Sequence, residues 1–327
     1  MDFHLNLQPT PIDPKIELGQ LVFLSGSCFT EHMTSRLSQS KFRTLENPHG
    51  ILFNPISICE SLQACMDQKE YHQEDIFEDQ GLWASWDFHG RFSDPDPLIC
   101  LGRMNESMEK GHQALQSAHW LVLTLGSAFV YRKSNGRVVA NCHKAPASAF
   151  TRQLLMPEEV MSGLDNIIHK LRFFNPGLQI IFTVSPVRHL REGLVENNRS
   201  KAVLIYCVHQ LCGKFDGIHY FPAYELVLDD LRDYRFYAED MVHPNYQATR
   251  YVWEKFCQWG MASGTRQALK EISQLRNAMQ HRPIHPRSEG HRKFIAQQAR
   301  LTEELAGRFP LLDFSEERAF FTAETGF

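Results

Sequence analysis

The chain has 327 residues, 43% of them hydrophobic and 22% charged, with a formal net charge of −4. That is enough chain for one large core, or for one core plus a smaller appendage. The mildly acidic balance gives no electrostatic reason to expect nucleic acid or an anionic membrane as partner, and no stretch approaches the roughly 18 apolar residues that would span a bilayer.

The N-terminal "MDFHLNLQPTPIDPKIELGQ" lacks a basic segment followed by an apolar run, so it does not read as a secretory signal. The first buried-looking strand follows as "LVFLSG" at Leu21, and Phe29, Met33 and Leu37 then repeat at helical spacing. The Pro/Asn/Asp-rich region 47–96 has weak periodicity and reads as long loops plus a helix over a sheet. Further strand-like runs are "WLVLTLG" at Trp120, "LQIIFTVSP" at Leu178 and, less clearly, "GIHYFPAYELV" at Gly217. Between them "PEEVMSGLDNIIHKLRFF", from Pro157, places Val160, Leu164, Ile167, Ile168 and Leu171 on one helical stripe. "PNYQATRYVWEKFCQW", from Pro244, starts with proline near a helix N-terminus and continues apolar at Val252 and Phe256. Strands apolar on both faces, alternating with helices, predict an α/β fold with a mainly parallel sheet. After Trp259 the patterns become polar and helical, interrupted by "HRPIHP". The expected division is therefore an α/β domain over 1–259 and a helical C-terminal extension over 260–327, packed on it.

The eight cysteines (Cys28, Cys59, Cys65, Cys100, Cys142, Cys207, Cys212, Cys257) form no CxxC pair. Neither a disulfide framework nor a zinc site is expected, and a reduced, cytoplasmic protein is the reading that fits. No Walker-type loop, G-x-G-x-x-G or G-x-S-x-G accompanies a strand, so no cofactor is expected.

Three strand-like runs end in small, turn-forming residues: Gly26-Ser27-Cys28, Gly126-Ser127-Ala128 and Ser185-Pro186-Val187. The carboxyl ends of parallel strands are where ligands bind, and a side chain at a strand-to-helix junction also meets the free amides and dipole of a helix N-terminus. There a thiolate or an activated alkoxide is favoured, while an N-capping Ser27 beside a buried Cys28 is the plainer account of the segment taken alone. In "YAEDMVHPNYQ", Asp240 and His243 stand three apart, a spacing that lets the carboxylate hold one imidazole nitrogen while the other takes a proton. A capping aspartate with a surface histidine is the alternative. Arg188 and His189 in "SPVRH", Asn141 and His143 in "NCHK", and His89 in "WDFHGRF" are further polar groups, each of which also fits an ordered loop or an internal pair. "HRPIHP" reads as a rigid turn rather than a metal site, since no carboxylate or thiol converges on it.

The order of these pieces resembles the SGNH/GDSL hydrolase superfamily, and more closely the GSCFA family within it. The matching stretches are "SGSCFTEHM", "NPHGILFNPISI", "LTLGSAFVYR", "VVANCHKAP", "FTVSPVRHL", "YFPAYELVLDDLRDYRFYAEDMVHP" and "HRPIHP". The resemblance implies an SGNH-hydrolase-like three-layer sandwich and sets Cys28 on the superfamily's nucleophile position, with Ser27 where its aspartate stands. Ser27 becomes the nucleophile only if the register slips by one. His243 and Asp240 fall on the base and the residue that orients it. The chain departs from the superfamily at Ala128, where an asparagine would help hold the oxyanion. The loss of such a donor typically costs about 100- to 1,000-fold in turnover. Gly126, Ser127, Asn54, Asn141, His143, Arg188 and His189 are the candidate oxyanion or substrate-binding groups. The expectation is an acyl or ester transferase or hydrolase working through a Cys28 thioester on a small-molecule or glycan ester. The alternatives are a catalytically silent binding protein of the same fold and a serine esterase using Ser27.

Overall fold

The computed structural model describes residues 5–286 and 288–325. In chain order, β1 (Leu21–Gly26), α1 (Cys28–Gln39), β2 (Arg43–Glu46) and α2 (Pro55–Met66) come first. The hairpin β3 (Phe77–Asp79) and β4 (Leu82–Ala84) precedes α3 (Pro97–Ser117) and β5 (Trp120–Leu125). A small antiparallel sheet of β6 (Phe129–Arg132), β7 (Val138–Val139) and β8 (Thr151–Leu154) leads to α4 (Pro157–Phe174) and β9 (Gln179–Val184). Then come α5 (Leu194–Lys214), β10 (Ile218–Tyr220) and the short α6 (Ala223–Glu225), continued by a π-helical turn at Leu226–Leu231. Four helices end the chain: α7 (Tyr246–Gly260), α8 (Ser263–Gln280), α9 (Glu289–Arg308) and α10 (Ser315–Thr325).

Five strands form the central sheet in the order β10-β9-β5-β1-β2, each pair parallel. The runs read as strands are apolar on both faces because both faces are covered. Phe23, Leu121, Leu123, Ile180 and Phe182 pack with residues of α2, α3, α4 and α5. Their neighbours Val22, Leu24, Trp120, Val122 and Ile181 point the other way, into a second core with α1 and α7. This is the period-2 alternation of a strand with helices on both sides, a three-layer α/β sandwich. Each such side chain, fully buried, contributes about 2 kcal/mol of transfer free energy.

Two details depart from the sequence reading. The run at Gly217 yields only a three-residue strand, because the backbone turns into helix at Ala223 after Pro222. The edge strand β2, "RTLE", is polar and mostly half-exposed, so it carries no apolar run to announce it. Helix starts follow local chemistry: Asn54, Asp96 and Asn245 each accept a backbone N–H of the first turn, on α2, α3 and α7. The last three helices enclose a core of their own, with Ile272, Leu275, Ile295, Leu305, Phe314 and Phe321 buried and Leu18 packed against it. Lys41 at the end of α1 reaches Glu317 of α10 at 2.9 Å, which ties this helical unit to the sandwich.

The site end of the sheet depends on one close approach. Gly26 has φ +144°, and a Cβ there would lie 2.2 Å from the backbone oxygen of Thr124. No side chain fits without parting β1 from β5. Gly26→Ala is expected to lower stability by about 3 kcal/mol, through backbone strain and overpacking together, read as a lower urea midpoint at unchanged m-value.

Candidate active site

From Gly26 the chain passes directly into α1. Ser27 N donates to Thr124 O (3.1 Å), and Ser27 O accepts from Thr30 N (2.8 Å), which opens the helix. The Ser27 side chain is fully buried, its Oγ has no hydrogen-bond partner, and it gives α1 no side-chain cap. Cys28 is the first helical residue. It is half-buried and lines an open cavity of about 650 Å³ at the carboxyl end of the sheet. Of the two candidate nucleophiles only the thiol faces that cavity. Burial pushes the Cys28 thiol up from its ordinary value, and Glu31 pushes it the same way. Lys201 and the backbone N–H groups of Cys28 and Phe29 pull it down without cancelling the rise. The free thiol is therefore protonated at neutral pH, in a helix N-terminal position built to favour its anion.

His243 meets the cavity from the loop after the π-helical turn. Its Nδ1 lies 2.7 Å from Asp240 Oδ2, while Asp240 Oδ1 accepts the N–H groups of Val242 (2.9 Å) and His243 (3.0 Å). The backbone bond from His243, its ring bond and the backbone bond from Val242 hold the Asp240 carboxyl at about 2. The carboxylate thus fixes Nδ1 as the protonated nitrogen and leaves Nε2 free to take a proton. Asp240 itself stands behind His243 and off the cavity wall. Among the described residues no hydrogen bond joins Cys28 to His243. What the fold brings together is a thiol and an oriented imidazole on one cavity.

The same loop is held from β9. Arg188 N donates to Val242 O (3.2 Å), and its guanidinium lies over the rings of Tyr237 (4.1 Å) and Tyr234 (4.9 Å). Arg188 reaches the cavity, but most of its contacts position the Asp240–His243 loop. His189 also lines the cavity, edge-on to Phe53, with Nε2 buried and unpartnered. Burial first, then the charges of Lys201 and His243, push it down to about 3, so it is neutral. The "NCHK" loop forms the facing wall: His143 N donates to Asn141 Oδ1 (2.9 Å), and His143 Nε2 lies 2.7 Å from Ser85 O.

The candidate oxyanion groups differ in what they have free. The N–H groups of Gly126 and Ser127 both donate to Phe53 O, at 2.8 and 2.9 Å. The Ser127 hydroxyl accepts from Phe129 N and meets Ser200 Oγ at 3.2 Å. Ala128 is fully buried, and its N–H donates to Ser200 Oγ at 2.7 Å. Asn54 lines the cavity, but its carboxamide oxygen caps α2 and one of its N–H groups goes to Ser57 Oγ, which leaves one hydrogen. Gly126 lies off the wall; a Cβ there would meet Ser27, Phe53 and His189 at 3.1 to 3.2 Å, so its lack of a side chain lets these three close around the turn.

Sequence reasoning did not single out Lys201 or Ser200, the two α5 residues beneath this turn. Lys201 is 1% exposed and donates to Gly126 O (2.6 Å) and Ser185 O (2.7 Å). The available signal was its place on the stripe Asn197, Ser200, Lys201, Leu204, Val208 and Leu211, all buried. A lysine on a buried stripe demands a reason. Among the described residues no group of three or more His, Cys, Asp or Glu is arranged to hold a metal ion, and no helix is long and apolar enough to cross a membrane.

Comparison with known proteins adds a family. The GSCFA family matches residues 21–256, and the C-terminal domain of GSCFA domain proteins matches residues 272–325. No curated protein sequence matches the chain. Among solved structures it is similar to a Streptococcus pneumonia protein proposed as a platelet activating factor, at 10% identity and TM-score 0.41, over 75% of this chain and 84% of that one. It is also similar to an acetyl xylan esterase from Butyrivibrio proteoclasticus, at 12% identity and TM-score 0.36, over 83% and 66%. A carbohydrate esterase of family 3 from Talaromyces cellulolyticus is similar at 10% and 0.36, over 77% and 99%.

Two histidines, the buried His49 and the half-buried His189 on the cavity wall, make the fold acid-sensitive. Burial holds His49 and His189 at about 3, against an ordinary 6.5. Between those values the unfolded chain binds protons that the folded chain does not, so stability falls as pH drops through that window. His189→Gln is expected to lose less stability than wild type between neutrality and about pH 4, measured as the change in urea midpoint.

Proposed function

The chain belongs to the GSCFA family, and from that premise we propose that it is an acyl or ester hydrolase or transferase of the SGNH/GDSL-hydrolase-like superfamily. One observation carries the reading: Cys28, at a helix N-terminus, and the Asp240-oriented His243 line a single cavity at the carboxyl end of a parallel sheet. Cys28 is the nucleophile. His243 Nε2 accepts the thiol proton as the sulfur attacks the substrate carbonyl, and returns it to the departing alkoxide as the ester bond breaks. The product is a thioester on Cys28. Water or an acceptor hydroxyl then attacks that thioester, gives its proton to His243 and frees the thiol. Asp240 supports the imidazolium formed at each stage. The helix N-terminal amides and the remaining N–H of Asn54 are the donors within the cavity for the oxyanion. The substrate in this reading is a small-molecule or glycan ester.

A second reading, a silent ligand-binding protein with the same pocket, is favoured by the raised Cys28 thiol and by the methyl of Ala128 in the asparagine's place. Turnover of a panel of aryl esters and acyl thioesters separates the two. The enzyme reading expects Cys28→Ala and His243→Ala to lose about a thousandfold or more, Asp240→Asn about a hundredfold, and Ser27→Ala no more than a few-fold. An active Cys28→Ala beside a dead Ser27→Ala contradicts the thiol assignment. Undiminished ligand affinity in Cys28→Ala, with no turnover by any form, selects the binding protein.

A further inference from the structure

Lys201 is an ionisable group placed where charges are costly. Its side chain is 1% exposed, and no carboxylate pairs with it among the described residues. Two of its three ammonium hydrogens go to the carbonyls of Gly126 and Ser185, the first residues beyond β5 and β9. The Tyr224 ring lies 6.0 Å away. Tying two strand ends together needs only a neutral donor, whereas an uncompensated buried ammonium costs several kcal/mol. That cost is offset when an anion forms nearby. Gly126, whose carbonyl Lys201 holds, closes on Ser27, the chain neighbour of Cys28: a Cβ on Gly126 would lie 3.1 Å from the Ser27 Cβ. Cys28 is the group at that junction that ionises to an anion, and it and Lys201 act on each other's protons.

We propose that Lys201 is the positioning residue that stabilises the Cys28 thiolate as it forms, its buried side chain fixed on Gly126 O and Ser185 O at the turn that closes on Ser27. This deepens the reading of Cys28 as nucleophile and rests on it. The groups facing the pair are few. Glu31, from the first turn of α1, opposes the thiolate. His189, on the loop between β9 and α5, is neutral, and His243 comes from the loop before α7. Tyr224 comes from α6. Lys201 is thus the side chain that opposes Glu31 and burial at the sulfur, together with the backbone N–H groups of Cys28 and Phe29. The influence is mutual: burial holds Lys201 down at about 7, and Cys28 draws it up. When the thiol proton leaves for His243, Lys201 keeps its own proton and gains an anionic neighbour.

The test is site-resolved alkylation of Cys28 by iodoacetamide across pH, read by peptide mass spectrometry, in wild type, Lys201→Met and Lys201→Gln. Glutamine keeps donors for the two carbonyls and removes the charge. Both variants are expected to raise the Cys28 midpoint by about one unit, slowing its alkylation about tenfold below that midpoint, while the other cysteines keep their profiles. A folded Lys201→Gln protein with an unchanged Cys28 midpoint overturns the proposal. If neither variant folds, the reciprocal measurement decides. Lys201 in the Cys28→Ala protein, followed by NMR of its side chain, titrates at lower pH than in wild type if the two are coupled, and an unchanged midpoint overturns the proposal. Ester turnover of Cys28→Ala reports separately on the nucleophile, so a dead Cys28→Ala enzyme with an unmoved thiol midpoint removes the role of Lys201 alone.

Discussion

The contact on which the site depends is backbone against backbone. Where β1 ends, Gly26 lies so close to Thr124 of β5 that no Cβ fits between them. That approach lets Ser27 N reach Thr124 O and turns the chain into α1, with Cys28 as its first residue. From the other side, Asn47 Oδ1 receives Gly26 N at 2.9 Å, and Asn47 N donates to Leu24 O, so the loop after β2 clasps the same junction. With β1 held this way, the turn after β5 and the turn after β9 stand beside it at the same edge. Both of those turns give a carbonyl to Lys201. The position of the thiol is therefore a property of three strand ends, and only secondarily of its own helix.

Electrostatics at the site is a balance of opposed terms. Burial and Glu31 resist a charge on sulfur, while the α1 amides and Lys201 favour one. The net result keeps the thiol neutral. Such a group is less exposed to oxidation than a standing thiolate, and in the proposed reaction it becomes nucleophilic as His243 takes the proton. The imidazole is prepared differently. Its partner Asp240 is exposed, held in shape by two backbone N–H groups rather than by a closed pocket, so its grip depends on loop geometry. Arg188, stacked on Tyr237 and Tyr234, links that loop to the end of β9 and hence to the sheet.

The sequence exposes the frame better than the details. β1, β5 and β9 are legible because strands covered on both faces have little choice but to be apolar throughout. β2 is hidden because an edge strand of four residues, none of them buried, has no such requirement. Cys28, Asp240 and His243 are legible as candidates because turn chemistry and spacing mark their two segments, while the choice of the thiol over Ser27 comes from the family resemblance. Lys201 stays hidden, since its partners are main-chain carbonyls more than ten residues distant in sequence and no motif encodes them. The polar groups around the cavity are recognisable as polar groups, but not by role. Gly126 and Ser127 spend their N–H groups on Phe53 O, and Asn54 spends most of its carboxamide capping α2, which only three-dimensional neighbours reveal.

The central claim is that Cys28 forms a covalent acyl intermediate, and trapping that intermediate tests it most directly. The protein would be mixed with an aryl acetate, quenched in acid within its first turnovers, digested and read by mass spectrometry. The account predicts one acetyl group on the Cys28 peptide, localised to sulfur by its release with neutral hydroxylamine. Turnover of the ester with the acetyl group on Ser27, or with none on Cys28 at any quench time, would contradict it.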